Sequence, residues 1–109
     1  MLEAIFNSKT KERVLLFIKA RKEGYAREIA RFYDSSLSPV QNQLDKLEIG
    51  GILASKTAGK TRIYSFSQRY PFYKELDALL EKVIQFLPDN EREKLFLVRT
   101  RPRRKGKKL

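Results

Sequence analysis

The feature that most restricts the fold of this 109-residue chain is a change of hydrophobic period at Gly50-Gly51. Before it, in "LSPVQNQLDKLEIGGIL", Leu37, Val40, Leu44 and Leu47 recur at steps of three, four and three, the spacing of one face of an α-helix. After it, "ILASKTAGKTRIYSF" carries two β-favouring runs, Ile52 to Lys56 and Thr61 to Phe66, on either side of Thr57-Ala58-Gly59-Lys60. The glycine in that tip can supply the positive φ that a hairpin turn needs. Lys56, Lys60 and Arg62 cluster around the tip, so a helix stopped by glycine leads straight into a basic hairpin.

Two more helices precede this unit. "SKTKERVLLFIKAR", from Ser8 to Arg21, has a polar first turn and an apolar second half, with Ser8 as N-cap and Gly24 as the stop. "YAREIARFYD" gives a second helix from about Ala26 to Tyr33. In it Ala26, Ile29, Ala30 and Tyr33 form the inward stripe and Arg27, Glu28 and Arg31 fall outside it. Asp34-Ser35-Ser36 supplies the turn into the third helix. For that helix Ser38 has capping-box form with Pro39 at the first helical position, and Ser36 is the rival cap. Downstream, Pro71 opens a helix to about Leu87 with a wide stripe of Phe72, Leu76, Leu79, Leu80, Val83, Phe86 and Leu87. Tyr70, Phe72 and Tyr73 are expected as buried anchors where this helix meets the hairpin. After Pro88 the chain reads as a short helix or a loose strand and then as a tail.

The expected architecture is α+β, mainly helical: a winged helix-turn-helix of three helices and a two-stranded wing, with an additional C-terminal helix. Residues 1–87 form the domain and 88–109 a basic, flexible tail. "LSPVQNQLDKLEIGGIL", followed by a polar hairpin ending in "RIYSF", resembles the recognition helix, closing glycine and wing of ArsR-like winged-helix transcriptional regulators. The resemblance runs over about residues 5–87. It implies a recognition helix from Ser38 to Leu47, a scaffold helix from Ala26 to Tyr33 and a wing from Ile52 to Phe66. Metal-sensing members of that family use Cys and His ligands, and this chain has neither.

The same absence limits chemistry. With no cysteine and no histidine there is no disulfide, no thiolate or imidazole metal site, and no Ser-His or Cys-His catalysis. Asp77 and Glu81 stand at helical spacing, a pattern a hard cation can use, but they read as a solvated charged face. No nucleophile–base pair or phosphate-cradling glycine loop is visible, so the chain is read as a non-enzyme without cofactor or metal. No apolar run approaches the roughly 18 residues of a membrane span, which points to a cytoplasmic, nucleoid-associated protein.

Charge supplies the partner. The net charge is +11, and the last eleven positions hold seven of the 24 basic residues and none of the 13 acids, which leaves +4 for residues 1–98. Neutralising phosphates releases condensed counterions, so such a tail suits nucleic acid. A helix fits the major groove of B-DNA, where Asn and Gln can bond an adenine edge and Ser can bond bases or phosphate. Ser38, Gln41 and Asn42 are therefore the base-reading candidates. Arg27, Arg31, Gln43, Lys46, Lys56, Lys60, Thr61 and Arg62 are the backbone contacts, and Arg101, Arg103, Arg104 and Lys105 the tail contacts. The apolar stripe from Phe72 to Leu87 exceeds what one small domain needs, which points to a homodimer on a pseudo-palindromic duplex site. An RNA-binding winged helix and a protein-interaction module are the readings from other classes.

Overall fold

The computed structural model describes residues 1–97, with Leu97 described by its backbone alone. The tail candidates Arg101, Arg103, Arg104 and Lys105 lie outside the described residues.

Among the described residues, six helices and three strands follow in the order α1 (Glu3–Phe6), α2 (Lys9–Arg21), β1 (Glu23–Gly24), α3 (Ala26–Phe32), α4 (Leu37–Ile49), β2 (Leu53–Ala58), β3 (Thr61–Phe66), α5 (Tyr73–Phe86) and α6 (Asp89–Leu97). The sheet is antiparallel throughout, in the order β1-β3-β2. Helix α2 is the axis of the core: Val14, Leu15, Leu16, Phe17, Ile18 and Ala20 are all buried, as are Ile29 and Ala30 of α3 and Val40, Leu44 and Leu47 of α4. Burying each such large aliphatic side chain contributes roughly 1.5–3 kcal/mol.

Ser8 caps α2 as expected, accepting a hydrogen bond from the Lys11 backbone N–H at 3.0 Å. The stop is different. Lys22, at φ 77°, ends the helix, and Gly24 lies two residues on in β1. Gly24 is buried against Phe17, so closely that a Cβ there would stand 2.8 Å from Phe17 Cε1. Its small size, not its backbone freedom, is what the fold uses. The cap of α4 is Ser36, which sets Leu37 at N1 and Pro39 at N3 rather than N1. Pro39 is still tolerated there, since the first-turn N–H groups have no partner within the helix.

The hairpin is tighter than the spacing implied. Ala58 pairs with Thr61, so the loop is Gly59-Lys60 alone. Gly59 has φ 65° while Lys60 does not have a positive φ, the pattern of a type II′ turn. Strand β1, only two residues long, completes the sheet by pairing Glu23 with Ser65 and Gly24 with Tyr64.

Two parts of the C-terminal reading are corrected. The folded unit does not end at 87, because α6 docks on the body: Leu95 is buried in the core, and the Arg21 guanidinium donates to the backbone oxygens of Leu95 at 2.8 Å and Lys94 at 3.2 Å. Arg92 reaches back to the end of α5, donating to Leu87 O at 3.1 Å and Gln85 O at 3.3 Å. It thereby satisfies carbonyls that have no partner inside the helix. Phe72 is the second correction. It caps α5 and is 62% exposed, so it is not a buried anchor, whereas Tyr70 and Tyr73 are half-buried.

Candidate nucleic-acid interface

Helix α4 presents three rows. Val40, Leu44 and Leu47 face the core. On the opposite side Ser38, Asn42, Asp45, Lys46 and Ile49 are exposed. The row between them, Gln41 and Glu48, faces the wing formed by β2 and β3. Of the three base-reading candidates, Ser38 and Asn42 are thus open to solvent, and Gln41 is not fully so.

Gln41 is engaged within the fold. Its Nε2 donates to Asp45 Oδ1 at 3.0 Å and to the Tyr64 hydroxyl at 3.2 Å, and that hydroxyl lies 3.5 Å from the same Asp45 oxygen. Bidentate pairing with adenine needs the amide donor as well as its oxygen. Gln41 must release these bonds before it can read a base that way. Burial pushes the Tyr64 phenol above its usual range, against the opposing effect of the Gln41 hydrogen bond, so the hydroxyl stays protonated and available to the relay.

A second tie lies one turn further along. Ser55 Oγ donates to Glu48 Oε2 at 2.5 Å, and Arg62 Nη1 donates to Ser55 Oγ at 2.9 Å and stands 3.9 Å from the Glu48 carboxylate. The wing is therefore fastened to α4 by Asp45, Glu48, Ser55, Arg62 and Tyr64. Arg62 is shared between that fastening and solvent, its side chain being 56% exposed.

Among the backbone candidates, Arg27, Arg31, Lys46, Lys56 and Lys60 are exposed and Thr61 is half-buried. Arg27 and Arg31 stand four residues apart and share the face of α3 away from Ile29 and Ala30. Gln43 is half-buried and its amide oxygen is enclosed with no hydrogen-bond partner.

The reading of the residues missed the fastening. Asp45 was legible four residues after Gln41, a spacing that lets the two side chains meet, but Ser55 of β2 and Tyr64 of β3 are cross-strand partners brought to α4 by the fold, with no local signal.

On α5 the apolar stripe divides. Leu80 and Val83 are spent on the protomer's own core, at 0% and 5% exposure, which removes them from the expected dimer face. Leu76, Leu79 and Leu87 are half-buried, and Phe72 and Phe86 are exposed. Asp77 and Glu81 are not a bare solvated pair: Lys19 of α2 bridges them, at 2.8 Å to Asp77 Oδ1 and 3.3 Å to Glu81 Oε1. No group of three or more Asp or Glu side chains among the described residues is placed to hold a metal ion. No helix among them is long and apolar enough to cross a membrane.

This order of elements, with the hairpin fastened beside the outward helix, is the winged-helix fold. Solved structures share it. ZitR from Lactococcus lactis, as an apo double mutant, superposes with a TM-score of 0.54 at 19% identity, over 91% of this chain and 81% of that one. The adhesin competence repressor AdcR from Streptococcus pyogenes gives 0.52 at 15% identity over the same shares. The likeness is to winged-helix proteins at large and does not single out an ArsR-like branch. No protein-family model and no curated protein matches the sequence.

Proposed function

We propose that this chain is a sequence-specific, double-stranded DNA-binding transcriptional regulator of prokaryotic type, acting as a homodimer on a pseudo-palindromic site in the cytoplasm. The observation that carries the reading is the outward row of α4. Ser38 and Asn42 are exposed at the N-terminal half of a helix whose opposite row is buried, and the wing fastened beside that helix carries exposed Lys56 and Lys60. A groove-reading helix needs that division: a polar tip offered outward, an apolar back holding it rigid, and cations on the phosphates to either side. The neighbour AdcR bears the name of a repressor, which agrees with this reading.

Within that frame Asn42 and Ser38 read base edges, and Gln41 joins them on release from Tyr64. Lys56, Lys60, Arg27, Arg31 and Lys46 neutralise phosphates, and Thr61, Gln43 and Arg62 play smaller parts. Arg101, Arg103, Arg104 and Lys105 add electrostatic grip.

For the dimer, Phe72, Leu79 and Phe86 recur every seven residues along one edge of α5, with Leu76 between them. Two copies of such a seam pair about a two-fold axis near Leu79, and an antiparallel arrangement brings Phe72 toward the partner's Phe86 and Glu75 toward the partner's Lys82.

The test is selection of sites from randomised duplexes, followed by affinity against salt for the selected site. An enriched two-fold motif with a steep salt slope is expected. Replacing Lys56 and Lys60 by alanine should flatten that slope by about 0.9 for each phosphate no longer neutralised, without changing the motif. Equal affinity for all duplexes, or tighter binding of structured RNA at the same salt, overturns the reading.

A further inference from the structure

Away from α4, the molecule contains a cleft of about 620 Å³ that the DNA reading does not use. It lies between the start of α2, the end of α3 and the joint of α5 with α6. Its apolar wall is made by Leu16, Phe32 and Leu95, and its polar groups include Glu12, Arg13 and Tyr33. The volume lies within the roughly 300–1,000 Å³ range of small-molecule sites, and an apolar wall with a few convergent polar groups is their usual composition.

Glu12 gives this cleft its chemistry. The residue is only 5% exposed, on a helix whose side chains from Val14 to Ile18 are core. A carboxylate so placed requires a cation beside it. It has one: the Met1 ammonium donates to Glu12 Oε1 at 3.1 Å and lies 3.0 Å from Oε2. Met1 is exposed and lies ahead of the four-residue helix α1, so its ammonium is held less firmly than the buried carboxylate it touches. Arg13 is occupied differently, its guanidinium stacked 5.2 Å from the Tyr33 ring centroid. Burial pushes the Tyr33 phenol well above its usual range, so the ring faces the cleft as a neutral aromatic.

We propose that this cleft binds a small amphipathic amine, its ammonium replacing that of Met1 on the Glu12 carboxylate and its apolar body lying against Leu16, Phe32 and Leu95. An anion is disfavoured, because the more open charges of the lining balance, Glu3, Asp34 and Glu91 against Lys9, Arg13 and Lys94, and the one charged side chain buried there is the carboxylate of Glu12. The position has a consequence for the reading helix. Tyr33 and Asp34 end α3 and begin the turn into α4, and Leu87 and Pro88 join α5 to α6, so an occupant touches both the approach to α4 and the end of α5.

The proposal stands apart from DNA binding and is tested without it. Phenethylamine, hexylamine and, as the charge-reversed control, 3-phenylpropionate are titrated calorimetrically into the full chain, its Glu12→Gln variant and a form acetylated on the Met1 amine. At least one amine should bind and the carboxylate should not. Glu12→Gln should weaken the amine by about tenfold or more, and acetylation, which removes the competing ammonium, should strengthen it several-fold. If Glu12→Gln does not fold, the acetylated form decides. Amine binding that acetylation leaves unchanged, carboxylate binding equal to that of the amines, or no amine binding at about 10 mM overturns the assignment.

Discussion

Gln41 Nε2 donates to the Tyr64 hydroxyl at 3.2 Å, so the helix that faces outward and the wing beside it are joined through a side chain whose type and position suit base reading. Under the proposed function, the bond would make Gln41 a conditional reader and Asn42 an unconditional one. Asn42→Ala should lose about 1–3 kcal/mol of discrimination at one base pair, and Gln41→Ala should lose less. Tyr64→Phe keeps the buried ring and removes only the hydroxyl. It should cost about 0.5–1.5 kcal/mol of folding stability and sharpen the preference at the base pair nearest Gln41. Selection of sites with the three variants checks all of this. A Tyr64→Phe motif identical to that of the parent would show that the bond does not restrain Gln41.

Lys19 ties α2 to α5 through Asp77 and Glu81. Partial burial pulls its ammonium pKa down, but the two carboxylates outweigh that and the net displacement is upward from the ordinary 10.5. A raised lysine pKa means that the folded state holds the proton more tightly than the unfolded chain. The resulting stability is fully present below about pH 10.4 and is lost as pH rises through the folded value. Urea midpoints at pH 8 and above pH 10.5 should therefore fall further in the parent than in Lys19→Met. At pH 8 the substitution itself should cost about 1 kcal/mol, the scale of a partly exposed pair. Parallel midpoints in the two proteins across that range would mean the bridge contributes nothing.

Two glycines should fail for different reasons when changed to alanine. At Gly24 the new Cβ meets Phe17 at 2.8 Å, an overpacking that costs about 1–3 kcal/mol. At Gly51 there is nothing within 4 Å, but φ is 81°, and the left-handed backbone costs roughly 1–2 kcal/mol for a residue with a Cβ. Phe17→Leu should recover part of the loss in Gly24→Ala and none of it in Gly51→Ala. A double-mutant cycle by chemical denaturation measures the difference.

What was legible in the sequence was whatever a local period encodes. Val40, Leu44 and Leu47 announced α4, although Leu37, expected on the same buried face, is exposed at the helix start; Gly50-Gly51 marked its end, and Gly59 the hairpin turn. What escaped depended on contacts between distant segments. Strand β1 is two residues long and is defined by its pairing with β3, Glu23 with Ser65 and Gly24 with Tyr64. Helix α6 has no apolar stripe of its own, and its position comes from Leu95 in the core and from Arg21 donating to its carbonyls. The division of the α5 stripe into a buried edge at Leu80 and Val83 and an open edge at Phe72 and Phe86 is of the same kind. Periodicity gives the width of an apolar face, and only packing decides how much of it the protomer itself consumes.

That open edge can be tested with unusual directness because the chain has no cysteine. A disulfide forms only between Cα atoms about 4.4–6.8 Å apart, so each single substitution reports one distance across the proposed two-fold axis. The proposed seam sets Leu79 near the axis, so Leu79→Cys should cross-link to itself under mild oxidation. Phe72→Cys and Phe86→Cys should stay reduced alone and cross-link when the two variants are mixed, since an antiparallel seam sets position 72 against position 86. Glu75→Lys and Lys82→Glu should each weaken the dimer in sedimentation, and the double exchange should recover it, because the charges are restored in reverse order. Self-cross-linking by Phe72→Cys would instead mean that the helices run parallel, and a monomer at all concentrations would remove the two-fold site from the proposed function.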